Sequence, residues 1–166
     1  MRINYTTYDV RRQQDIISST TSRRDVMTLA TNSDGHVTDR FLFARVLGIF
    51  HANVIYTGPG TTGYSPRRME FLWVRWYECL TDGSWSAFTL DRIGFPPMAS
   101  EHSFGFLDPS DIVRGCHITP AFWSGMRYRD KQGLSRCARD SHDWHNYYVN
   151  RCAISLTIIA LESANL

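Results

Sequence analysis

Apolar residues recur with a period of two along Phe41–Ile49 and again along Met69–Tyr77, and between them lies TGPGTTGYSP, a run of Gly, Pro, Thr and Ser. Two alternating segments joined by turn residues predict a long antiparallel β-hairpin. In its first arm Phe41, Phe43, Arg45, Leu47 and Ile49 share one face, and Leu42, Ala44, Val46, Gly48 and Phe50 share the other. Both sets are largely apolar, which predicts a central strand covered on both sides. Gly48 marks a bulge or a close backbone approach. The second arm places Met69, Phe71, Trp73, Arg75 and Tyr77 opposite Glu70, Leu72, Val74 and Trp76. Twist accumulates along so long a ribbon, and with further strands to follow it favours a small barrel over a flat sheet.

Shorter patterns flank the hairpin. Tyr5, Tyr8 and Val10 alternate, Arg11 to Thr21 shows little apolar periodicity, and Asp25 to Ala30 is a second short run. Residues 1–40 therefore read as a polar lead-in that adds one or two edge strands. Further strands are expected over Trp85–Phe95, Ile112–Ile118 and Asp143–Arg151. Asp108 is placed to cap one helical turn with Pro109 at its first position. Phe122–Arg139 reads as a Gly and Arg loop. The expectation is a mainly-β domain of seven or eight strands with long loops and little helix, its barrel spanning 41–152.

Composition narrows this only slightly. A chain of 166 residues is long enough for one domain with a real core, and an aromatic share of 13% suits strands. A net charge of +2 is too mild to indicate nucleic-acid binding by itself. The basic residues are almost all Arg, with Lys131 the single Lys, which favours bidentate and stacked contacts. Cys79, Cys116, Cys137 and Cys152 lack C-x-x-C spacing, and the N-terminal residues have no apolar leader pattern, so reduced thiols in an intracellular protein are expected. The apolar run 152–161 is too short to span a bilayer, so no membrane partner is expected.

Candidate chemistry is sparse. Cys116, His117, Cys137, His142, His145 and Cys152 are zinc-type ligands, but adjacent Cys116 and His117 point to opposite faces of a strand. Core cysteines without metal are the expected state, with a zinc site at Cys116, Cys137, His142 and His145 as the alternative. Ser141, His142 and Asp143 are consecutive, the wrong geometry for a triad. Gly58-Pro-Gly60 lacks the lysine of a phosphate loop. Asp82, Asp91, Glu101, Asp108 and Asp111 read as turn and cap residues. No catalytic residue, cofactor or small-molecule substrate is identified, and a non-enzyme is expected. Tyr56, Trp73, Trp76, Tyr77, Trp85, Trp123, Trp144, Tyr147 and Tyr148 read first as core filling. Trp73, Trp76, Tyr77 and Trp144 are the candidates for a cage or stacking platform. Arg67, Arg68, Arg75, Arg114, Arg127, Arg129, Arg136 and Arg139 read as solvated surface, with Arg127, Arg129 and Arg136 the candidates for a phosphate-contacting arm.

ARVLGIFHANVIYTGPG, RRMEFLWVRWYE, LDRIGFPPM, FGFLDPSDIVRGCHITPAF and DWHNYYVNR resemble, in that order, a region near the C-terminal end of long uncharacterised open reading frames of mushroom-forming fungi. Those frames look like relics of cut-and-paste DNA transposons. The resemblance runs from about Tyr5 to Arg151 and implies mobile-element ancestry, with the nuclease core elsewhere and no catalytic residue in this segment. Residues 153–166 depart from the pattern and are expected to be the least well packed part. ARVLGIF, FLWVRWY and DIVRGCHI are also similar, at the level of fold alone, to the layout of SH3-like and bromo-adjacent-homology-like barrels. Together these imply a non-catalytic interaction module, nuclear, binding a protein or chromatin partner or DNA. The alternative is a structural fragment of a DNA transposase.

Overall fold

The computed structural model of the chain describes residues 1–6, 11–31, 37–60, 63–80 and 90–150. In chain order the strands are β1 (Arg2–Thr6), β2 (Arg12–Ile16), β3 (Asp25–Thr31), β4 (Val37–Val54), β5 (Arg67–Trp76), β6 (Glu78–Cys79), β7 (Asp91–Gly94), β8 (Phe104–Leu107), β9 (Ile112–Gly115), β10 (Ile118–Pro120) and β11 (Tyr147–Val149). They form three antiparallel sheets: the β1–β2 hairpin, a five-stranded sheet ordered β8-β5-β4-β3-β9, and a four-stranded sheet ordered β10-β11-β7-β6. The predicted hairpin is the β4–β5 pair, and it forms the spine of the large sheet.

The alternation in β3, β4 and β5 sorts their side chains onto two faces. On one face Val26, Ala44, Val46, Leu72, Val74, Leu107 and Ile112 form a core closed by Ile3 and Ile17 from the β1–β2 hairpin. On the other, Met27, Phe43 and Tyr77 meet Ile93, Phe95, Tyr147 and Val149 of the small sheet and its flanks. The large sheet is thus covered on both faces around Phe43–Val46, as its doubly apolar pattern requires.

Tyr77 alone separates β5 from β6, and Cys116 with His117 separates β9 from β10, so the chain passes between the two larger sheets at two corners. At the corners Tyr77 N donates to Phe43 O and Cys116 N to Asp25 O, each at 2.9 Å, so both corner residues stay bonded to the large sheet. The fold is mainly β and antiparallel, but its sheets are not closed into a barrel. The lead-in is also more integrated than expected. β3 lies inside the large sheet between β4 and β9, because its Val26 and Met27 each feed a different core. Arg12–Ile16, with no apolar period, still forms a strand. Its polar side chains pair across the hairpin, Tyr5 Oη donating to Gln13 and Gln14 to Asn4. The expectation for 153–166 falls outside the described residues. Among the described residues no helix is long and apolar enough to cross a membrane.

One buried cluster sits between the two larger sheets. Arg45 Nε donates to Asp25 Oδ1 at 3.1 Å and its Nη1 to Asp143 Oδ1 at 2.8 Å, while Arg75 Nη1 donates to Asp143 Oδ2 at 2.5 Å. Tyr77 Oη reaches Asp25 Oδ1 at 3.0 Å and Tyr147 Oη reaches Asp143 Oδ1 at 3.2 Å. The Phe95 ring lies 4.8 Å from the Arg45 guanidinium carbon and 3.9 Å from that of Arg75. Arg75 is therefore not solvated surface: it is 0% exposed. A charged residue on a core-facing strand position stays there only when its charge is matched nearby.

Asp143 reaches this cluster from the segment between β10 and β11. Within it, the buried Asp140 carboxylate accepts from the backbone N–H groups of Leu134 and Ser135. Burial opposes ionisation of Asp140, yet those backbone donors, and the Tyr128 hydroxyl after them, hold its pKa below the ordinary value. Gly133 lets the chain pass directly over that carboxylate; a Cβ there would also lie 2.7 Å from the Ser141 nitrogen. Asp143 N then donates to Asp140 O at 2.9 Å. What reads as a Gly and Arg loop over Phe122–Arg139 is, together with the turn Asp140–His142 that follows it, a folded cap that places the Asp143 carboxylate in the core.

Candidate functional site

Cover on the second face of the large sheet ends at Arg75. The next residue along that face, Trp73, is 37% exposed, and beyond it β4 and β5 continue as a two-stranded ribbon out to the Val54–Arg67 pair. The ribbon is sharply two-sided. Gly48, Phe50, Ala52 and Val54 lie opposite Trp73, Phe71, Met69 and Arg67 on one face; on the other, Ile49 lies opposite Leu72, and beyond them His51 and Asn53 lie opposite Glu70 and Arg68. An ion pair at 3.1 Å joins Arg68 to Glu70 on the polar side.

The apolar side carries a connected row of rings. Phe50 stacks on Phe71 at 5.8 Å, Phe71 meets Phe106 edge-on at 5.5 Å, and Phe106 lies 6.1 Å from Trp73, its direct partner across β5 and β8. Gly48 makes room for this row, since a Cβ there would overlap the Phe50 ring. Phe50 is 46% exposed, Met69 56% and Phe106 70%. With Trp73 and Val54 they leave about 450 Å² of contiguous apolar surface, taking full side chains at roughly 150–250 Å² each. A patch of that size marks an interaction site more often than isolated exposed hydrophobics do.

The aromatic candidates are not gathered in one place. Trp73 belongs to the exposed row. Trp76 lies on the opposite face of β5, half-buried against the first core with its indole over Gly105. Tyr77 is buried in the second core, stacked on Phe95 at 4.1 Å. Trp144 is half-buried against that core and meets Phe122 edge-on at 5.0 Å. Tyr147 is buried there as well, whereas Trp123 is exposed and donates to Tyr148 Oη at 2.9 Å. Trp85 falls outside the described residues.

The arginine candidates also divide. Arg127 is half-buried, its Nη2 donating to the Phe95 carbonyl at 3.1 Å and its backbone N–H to Asp143 O. Arg114 is half-buried too, its guanidinium 4.0 Å from the Tyr5 ring centroid. Arg129 and Arg136 are exposed on the cap, as is Arg139, which bonds the Ser19 carbonyl.

The four alternative zinc ligands are apart. Cys116 is half-buried against the second core, where burial and then Asp25 push its thiol pKa well up. Cys137 is exposed, and His142 Nδ1 lies 2.9 Å from Ser141 Oγ. Among the described residues no three His, Cys, Asp or Glu side chains lie close enough to share an ion. Cys152 lies outside those residues.

Phe50 and Phe106 were missed as site residues. The available signal was Gly48 itself: a bulge adds one residue to β4 between Val46 and Gly48 and moves Phe50 to the face opposite Val46. Comparison with known proteins adds no second line of argument, for no family model, curated protein or solved structure matches the chain.

Proposed function

We propose that this chain is a non-catalytic interaction module of a transposable-element-derived protein, docking a protein or chromatin partner in the nucleus through the apolar face of the β4–β5 ribbon. One observation carries the reading: a connected row of exposed and half-buried rings on a ribbon whose other side carries His51, Asn53, Arg68 and Glu70 beyond Ile49. If the chain is a structural piece of a transposase, the same face meets the rest of that protein. The SH3-like or bromo-adjacent-homology-like kinship belongs to this proposal, supported by the two corners at which strands of one sheet lead into the other. A photo-crosslinking residue in place of Met69 is expected to give a discrete protein adduct in cells, lost on Phe50→Ser with Phe106→Ser. Adducts unchanged by those substitutions would count against the ribbon face.

DNA is a second reading, favoured by the exposed Arg129, Lys131 and Arg136 on the cap. It predicts a mobility shift of duplex DNA that weakens steeply with salt and is lost on Arg129→Gln with Arg136→Gln. No shift at low salt ends it. Arg127 is excluded from that test because its guanidinium holds the Phe95 carbonyl.

A further inference from the structure

We infer that the cap binds a single-stranded nucleic acid, its bases stacked on Phe122 and Trp123 and its phosphates held by the basic residues that follow them. This rests on the second reading above, in which the cap's exposed basic residues contact phosphate, and it leaves the ribbon face untouched. The rings come first. Phe122 and Trp123 lie in a short helical turn after β10 and are 67% and 68% exposed, yet both are fixed from behind. Phe122 meets Trp144 edge-on at 5.0 Å, and Trp123 Nε1 donates to Tyr148 Oη at 2.9 Å. The turn itself is anchored, Ala121 N donating to Asn146 O and Ser124 Oγ to Ala121 O. Rings that are exposed but already held in place lose little freedom when a flat partner stacks on them.

Charge selects the partner. Residues 122–142 hold five of the chain's 18 basic residues and two of its 16 acidic ones, so the positive excess of the chain is concentrated in the cap. Arg129, Lys131, Arg136 and Arg139 are exposed. Of the two acids, Asp140 is buried on backbone donors and Asp130 accepts from Gln132 N at 3.0 Å. Rings at right angles can also cage a cation, but these basic neighbours repel one. They attract an anion, and an anion that also offers flat apolar faces is a nucleic acid whose bases are unpaired. The two parts adjoin. Met126 bridges to Trp144, the ring that backs Phe122, and Arg129 follows three residues later, at most about 11 Å along the chain. A strand of a few nucleotides spans both.

Fluorescence anisotropy of the full chain with labelled oligo-dT and oligo-rU of about eight nucleotides, set against a hairpin duplex, tests this. At least one single strand is expected to bind more tightly than the duplex at equal salt, and the ratio of the two tells DNA from RNA. Trp123→Ala is expected to weaken binding about fivefold or more, the loss of one stacked base, whereas Trp123→Phe retains most of it. The circular dichroism spectrum should be unchanged in both, since the ring is exposed. Arg129→Gln with Arg136→Gln should reduce the slope of log affinity against log salt by about 1.4, two phosphate contacts on a single strand. Failure to bind either single strand overturns the inference. Binding displaced equally well by polyglutamate also overturns it, and makes the cap a surface for acidic protein. Duplex bound as tightly as single strand, with Trp123→Ala without effect, overturns the stacking while the phosphate contacts of the second reading stand.

Discussion

Asp143→Ala is expected to lower the unfolding free energy by about 3–5 kcal/mol, the typical loss when one partner of a buried ion pair is removed. Asp143 accepts from both Arg45 and Arg75, and all three are buried. Among the described residues Arg75 has no other carboxylate partner, and its Nε and Nη2 already lack hydrogen-bond partners there. A domain of ordinary stability has only about 5–15 kcal/mol to lose, so a large fall in the urea midpoint is expected. The control is the Arg75→Met, Asp143→Ala double variant. Removing the orphaned charge should restore part of the loss, because an apolar side chain of similar volume tolerates the site better than an unpaired ion. Equal losses in the single and double variants would mean that Arg75 carries no penalty as an orphaned charge once Asp143 is removed.

At high pH the same cluster becomes a weakness. The Tyr77 hydroxyl is held well above its ordinary pKa of 10.0, first by burial, then by the charge of Asp25 and the hydrogen bond to it, with Arg45 opposing. Tyr147 is raised as well, by burial first and then by Asp143, again against Arg45. A phenol whose folded pKa exceeds its unfolded pKa binds its proton more tightly in the folded state. Its contribution to stability is therefore complete below the unfolded value near pH 10 and is lost as pH rises through the folded value. Burial works against the charge of Arg45, but its neighbours Tyr77, Asp25, Tyr147 and Asp143 outweigh it, so Arg45 stays cationic through this range. Cooperative unfolding above pH 10 is expected, with tyrosinate absorbance and circular dichroism changing together, and Tyr77→Phe should move the midpoint upward. Full tyrosine ionisation with the β signal intact would contradict this account.

The sequence made the hairpin legible because its apolar period survives over two long arms, and Gly48 stood out because a strand interior disfavours glycine. Asp108 caps its turn as the pattern indicates, accepting from Ser110 N. The exposed face was hidden for a specific reason. Counting by twos through the bulge puts Phe50 on the face of Val46, whereas the extra residue puts it with Trp73. The charge cluster was hidden for another: Arg45 and Arg75 sit at core-facing positions, but nothing local ties them to Asp143, which opens the expected strand Asp143–Arg151. β2 was illegible because its pairing rests on polar ladders without an apolar period.

The Arg45–Asp143 contact also has a meaning in time. It joins residues 98 positions apart, and Arg75–Asp143 joins residues 68 apart. During synthesis the large sheet's strands emerge long before the carboxylate that neutralises them. Until Asp143 arrives, closing the second core would bury the Arg75 guanidinium without its carboxylate and leave Arg45 with Asp25 alone, so premature collapse is penalised and assembly waits for the cap. Such dependence on distant contacts is the mark of a slow folder.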